Sequence, residues 1–220
     1  MPSLETLQEL LVHELQDLYN AENQIMKALP KMAKKATSNE LREAFQEHLG
    51  QTEVQAQRLE RALALLDAPV RGRTCDGMQG IIEEGKKLME EEVSEDVLDA
   101  GLIAAAQKVE HYEIASYGSV KSWAELLGQD EITALLQETL DEEEETDRRL
   151  SEIAESVVNA EAALGADGSD ESSDDEGESG SRKSGNEEEE SDAKRTSHQA
   201  AGRGRRAASS TRKRASRNRT

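Results

Sequence analysis

Glu22, His48, the pair Glu110 and Glu113, and the pair Glu143 and Asp147 stand where the residues around them repeat apolar side chains every three or four positions. An unpaired carboxylate buried on such a stripe costs several kcal/mol, and its pKa shifts until it is neutral. Several of them facing one another also repel. A divalent or trivalent cation removes both penalties, because carboxylate and imidazole ligands suit iron, manganese or zinc. The chemistry on offer is that of a carboxylate-rich, dinuclear metal centre inside a helical bundle. Each position alone has a plainer reading: a buried His commonly serves a hydrogen bond, and the run Asp141–Glu145 reads as a solvated face. Four segments offering such groups at one level are much harder to reach by chance. No Glu-x-x-His pair occurs, so the spacing departs from that of the best-known centres.

Helices must position these groups. Leu4, Leu7, Leu11, Leu18, Ile25, Leu29 and Met32 repeat at helical spacing, with Ser3 placed to cap them. Thr37 and Glu40 form a Thr-x-x-Glu capping box for a second helix carrying Leu41, Phe45, Leu59, Leu63 and Leu66, which Pro69 and Gly72 are expected to end. The three prolines read as lying outside the long periodic segments. Residues 70–93 form a longer connection with a short helix around Met78–Met89. Ser94 is placed to cap a third stripe through Leu98, Leu102, Val109, Tyr117 and Val120, which Gly128 stops. Asp130 is placed to cap a fourth through Ile132, Leu136, Leu140, Leu150 and Val157. Two hairpins joined by one long connection predict an all-α, ferritin-like four-helix bundle with a crossover.

Residues equidistant from a hairpin loop lie at one height. Reflection about residues 35–36 sets Glu22 opposite Leu49, between His48 and Gln51, and Glu14 further down. Reflection about residue 129 sets Glu113 opposite Glu145, close to Glu143, and Glu110 opposite Arg148, next to Asp147. The expected metal set is Glu22, His48, Gln51, Glu110, Glu113, Glu143 and Asp147. Thr52 and Gln55 share the stripe of His48, whereas His13 and His111 point away.

Aromatic residues are 2% of the chain, which argues against a β core. Formal net charge is −20. Residues 1–162, the expected bundle, hold 35 acidic and 15 basic side chains. The expected tail, residues 163–220, turns from 11 acidic and 2 basic residues over 163–190 to 1 acidic and 10 basic over 191–220. From about Gly165 the apolar pattern stops, and the composition reads as disordered. The acidic body repels nucleic acid. The Arg-rich stretch 203–219 could neutralise phosphates but has no aromatic residue to stack on bases, which implies weak, non-specific DNA binding. Cys75 is alone, so no disulfide can form within the chain. A leader pattern and an apolar run near ~20 residues are both lacking, so a cytoplasmic protein without membrane attachment is expected.

The stretches DLYNAENQ (17–24), LREAFQEHL (41–49), RLE (58–60), IAAAQKVEHYEIASYGS (103–119) and ETLDEEEETD (138–147) resemble the YciE/YciF family of bacterial ferritin-like stress-response proteins. The likeness runs from residue 3 to about 160. It implies a ferritin-like bundle, dimeric, with a dinuclear iron or manganese site and no firmly assigned reaction. Carried over by position, the family's polar core falls on Asp17, Glu22, His48, Glu110, Glu113, Glu143 and Asp147. Position 51 usually holds Glu in that family, and Gln51 here donates less charge, so a second ion would be held less firmly. Two other functions compete with a metal protein: a non-catalytic acidic helical scaffold, and a nucleoid-associated protein acting through its Arg-rich tail.

Overall fold

The computed structural model describes residues 4–71 and 73–164. The expectation of a disordered tail lies outside the described residues, as do Ser3 and Gly72. Within them the chain is all-helical: α1 Leu7–Lys35, α2 Asn39–Leu65, α3 Asp76–Glu90, α4 Glu95–Leu126 and α5 Asp130–Ile153. A single π-helical turn, Ala154–Val158, leads from α5 into the short α6, Asn159–Leu164.

α1 and α2 form one antiparallel hairpin, and α4 and α5 the other. Asp99 near the start of α4 bonds to the α1–α2 turn, while Arg61 near the end of α2 pairs with Glu131 at the start of α5. α4 therefore begins at the end of the bundle opposite to where α2 finishes. The connection must climb the full length, and α3, about 22 Å long at 1.5 Å per residue, supplies much of that climb while packing on α1 and α4. This is the single long crossover of a ferritin-like four-helix bundle.

Several element ends differ from the sequence reading. Thr6, not Ser3, caps α1, in a full capping box with Glu9. Pro30 lies inside α1 after all. Its ring is on the exposed side, where water can reach the Met26 carbonyl it leaves unbonded. Ser38 caps α2 by accepting from the Leu41 amide, because Thr37 is taken by the distant Asp99. α2 stops before Pro69: Asp67 adopts a left-handed φ of 51°, its amide bonds the Ala64 carbonyl, and the Ala68 amide bonds that of Leu63. Gly128 ends α4 with the same pair of bonds, in its case to Glu125 and, through Gln129, to Ala124. Both ends are Schellman motifs. Ser94 stands at the start of α4 without a side-chain bond, and Gln129 rather than Asp130 occupies the cap of α5.

The core comes in two parts. One apolar cluster includes Ile25, Leu29, Leu41, Phe45, Leu102 and Leu150. The other includes Leu11, Leu15, Leu59, Leu63, Val120 and Leu136. Between them the stripes of α1, α2, α4 and α5 each place a polar side chain inside: Glu22, His48, Glu110 with Glu113, and Glu143, all buried. None of the described helices is long and apolar enough to cross a membrane.

Candidate metal centre

One ligand atom from each of His48, Glu110, Glu113 and Glu143 lies within 4.8 Å of the others. Oxygen and nitrogen ligands sit about 2.0–2.2 Å from an ion such as zinc. Atoms on opposite sides of one ion are then at most about 4.4 Å apart, so the four need only small rotamer adjustments to share one. His48 Nε2 lies 3.4 Å from Glu110 Oε1 and 3.9 Å from Glu143 Oε2. On the ring's other side, Nδ1 is 3.4 Å from Gln51 Oε1 and 3.5 Å from the Thr146 hydroxyl. An Nδ1–H donated to Gln51 leaves the Nε2 lone pair facing the carboxylates, the tautomer a metal requires.

Glu22 is fully buried beside this group and accepts a hydrogen bond from the Tyr117 hydroxyl. The layer is otherwise badly short of partners. Glu22 Oε2, His48 Nε2, Gln55 Oε1, Glu110 Oε2 and both carboxyl oxygens of Glu113 and Glu143 are buried without any hydrogen-bond donor or acceptor. Among the described residues, every unpartnered buried side-chain atom belongs to this one layer.

Its electrostatics follow. Burial, then the charge of Glu143, pushes the Glu22 carboxyl up to about 8, although the hydrogen bond from Tyr117 holds it down in part. Burial and the neighbouring charge of Glu143 raise Glu110 well above the carboxylate range. Burial, Glu22 and Glu143 do the same to Glu113. Burial raises Glu143 as well, against the opposing pull of His48. Desolvation and the charge of Glu22 drive the Tyr117 phenol upward, so it remains a donor. At neutral pH such a layer holds protons in place of a metal ion.

Not every expected residue joins the cluster. Asp147 turns to the α4–α5 rim, where its Oδ1 is 3.2 Å from His111 Nε2 and accepts from Gln107. Gln51 stands behind His48 as an orienting group and outside the four-residue cluster. Asp17 accepts from the Tyr112 hydroxyl at 3.2 Å, and that hydroxyl also lies 3.0 Å from Cys75 Sγ. Glu14, which reflection set further down and outside the expected group, is half-exposed and pairs with His13. Tyr117 stands on the third apolar stripe, and that shared stripe is the one sequence signal for its bond to Glu22. Gln55 donates to Glu142, which Arg58 clamps through both its terminal nitrogens. That closes the layer on the α2–α5 side nearest the second apolar cluster. A polar cleft of about 100 Å³ between α2 and α5, walled by Glu47, Gln51, Glu145 and Arg149, leads from solvent to His48 and Glu110.

A crossover bundle whose interior layer is built from one imidazole and four carboxylates defines a ferritin-like protein. Residues 6–163 match the family described as "Domain of unknown function (DUF892)". Protein YciF of Escherichia coli (strain K12) is 40% identical over 161 residues, which are 73% of this chain and 97% of that protein. The crystal structure of the E. coli stress protein YciF aligns with a TM-score of 0.69 at 41% identity, covering 71% of this chain and 99% of that one. YcfI of Rhodopseudomonas palustris aligns with a TM-score of 0.66, also at 41% identity, over 68% of this chain and 95% of that one. The chain belongs to the YciE/YciF family.

Proposed function

We propose that this protein binds a dinuclear centre of iron or manganese in the layer formed by Glu22, His48, Glu110, Glu113 and Glu143. The observation that carries the reading is the convergence of eight buried, unpartnered polar atoms on a single level of the bundle. Packing alone would not retain so costly an arrangement, since each such atom forfeits about 1–3 kcal/mol. His48, Glu110 and Glu143 would take one ion, and Glu22 and Glu113 would extend the donor set to a second. The neutral Gln51 leaves the centre one charge poorer than a Glu there would. A bound redox metal would supply electron exchange with an oxidant, and Tyr117, bonded to Glu22, is the side chain placed to pass an electron or a proton. The E. coli relative is described as a stress protein, a setting that suits the handling of iron or peroxide.

Protein purified without chelators should carry iron or manganese in elemental analysis. Ferrous or manganous ion added to stripped protein should raise its melting temperature, by about 2.7 kcal/mol in free energy at a hundredfold excess over Kd. Glu113→Gln keeps the shape of the side chain and should weaken that binding without unfolding the bundle. The reading fails if ferrous, manganous and zinc ions all leave the melting temperature unchanged while Glu113→Gln stabilises the stripped protein.

A further inference from the structure

A second cavity reaches the same layer from the opposite side. Enclosed by α1, α3 and α4, it holds about 210 Å³, and its walls include Ile25, Leu29, Ile82, Met89 and Val109. An apolar cavity of roughly 150 Å³ takes up benzene, so this one has room for a single ring or a short alkyl chain. Its inner end is Glu110, 1% exposed and with Oε2 unpartnered. Lys27 and Lys31, one helical turn apart on α1, stand exposed at its rim. Neither lysine makes an ion pair among the described residues. Such a concentration of free positive charge is unusual on a body with more than two acidic side chains for each basic one.

The geometry points to a binding site for a small organic monoanion with an apolar body, its carboxylate against Lys27 and Lys31 and its apolar end toward Glu110. Each part of the cavity selects one part of that ligand. The walls take the hydrocarbon at about 25 cal/mol per Å² removed from water. The ammonium groups meet a head that stays near solvent and keeps most of its hydration. The inner end rejects a second anion, because a carboxylate carried down between apolar walls loses its hydration and meets no cation there. Residues 165–220 could not fill such a site themselves, since Ala is their only aliphatic residue type and they contain no aromatic. In chelator-stripped protein the cavity can be assayed with no metal in the neighbouring centre, so the two readings stand or fall separately.

Calorimetric titration of the full-length, chelator-stripped protein with octanoate, octanol and octanedioate tests the site. Octanoate should bind best, octanol more weakly and octanedioate least. Replacing both lysines (Lys27→Glu with Lys31→Glu) should weaken octanoate about tenfold, from attraction turned to repulsion at two positions, and leave octanol unchanged. Ala28→Leu, which narrows the cavity from α1, should weaken both ligands while the sedimentation coefficient stays the same. The proposal is overturned if octanoate and octanol bind equally to the unaltered protein, or if neither binds to protein that melts cooperatively. It is overturned equally if Ala28→Leu changes the oligomeric state, which would make the cavity a seat for a second copy of the chain.

Discussion

Glu22 surrenders its proton near pH 8 in the folded chain, against an ordinary value of 4.5 once unfolded. The folded state therefore binds more protons, and the stability tied to this group is complete below about pH 4.5 and lost as pH rises through 8. Glu110, Glu113 and Glu143 are raised too and act in the same direction. Exposed Glu9, Glu84 and Glu145 are held low by hydrogen bonds, and what they contribute disappears as pH falls. Chelator-stripped protein should thus melt highest in mildly acidic buffer and progressively lower toward pH 8. Saturating metal should flatten that slope, since the ion replaces the protons. Thermal melts across pH 5–8 with and without manganous ion decide it; a stripped protein most stable at pH 8 would contradict it. At Gln51, removing the acceptor behind His48 (Gln51→Leu) should weaken metal binding about tenfold, and Gln51→Glu should tighten it. Competition with a chromogenic chelator measures both. Glu22, His48, Glu110, Glu113 and Glu143 could be read from their stripes and hairpin register. Asp147 could not be placed this way: reflection about a loop fixes height and leaves azimuth free. Four residues beyond Glu143 the helix has turned about 40° further, enough to move its carboxylate from the interior to His111 at the rim.

Helix ends were the least legible elements, because distant groups decided them. Thr37 and Glu40 have the spacing of a capping box, yet Asp99 on α4 accepts from the Thr37 amide, the Thr37 hydroxyl and the Ser38 amide at 2.7–2.9 Å. Sequence alone offers no sign of a partner sixty residues away. The start of α1 was local by contrast, with Thr6 and Glu9 satisfying each other, but a second candidate cap, Ser3, preceded it. Asp67 shows how a Schellman end hides when the left-handed residue is not glycine. The Asp99 bonds matter most for the buried polar layer, because they tie α4 to the α1–α2 turn and thereby set the level of Glu110 and Glu113 against Glu22 and His48. Asp99→Ala leaves three donors without their buried acceptor and should cost about 3 kcal/mol in urea unfolding. Metal affinity should fall with it, although Asp99 touches none of the ligands. Unchanged affinity in a destabilised variant would show that the hairpin register is set elsewhere.

At the scale of the whole chain, charge is sorted along the sequence, with an acidic bundle first and the Arg-rich stretch last. Full-length protein should be retained on duplex DNA at 50 mM salt and released well before 200 mM, while a chain ending at Leu164 should not be retained at all. Retention that ignores salt, or that survives the truncation, would place nucleic-acid binding in the bundle. The two apolar clusters carry a different consequence. They meet only across a layer whose own groups oppose being packed together, so without an ion the bundle is two half-cores joined at their weakest plane. Amide hydrogen exchange should then resolve two opening units, with the Leu11–Leu63 half and the Ile25–Leu150 half protected to different free energies. A pair of ions held by side chains from all four helices would tie those halves into a single cooperative unit. The centre would in that case serve as the fold's keystone as well as its reactive site, and an organism short of the metal would carry a looser, more readily digested protein.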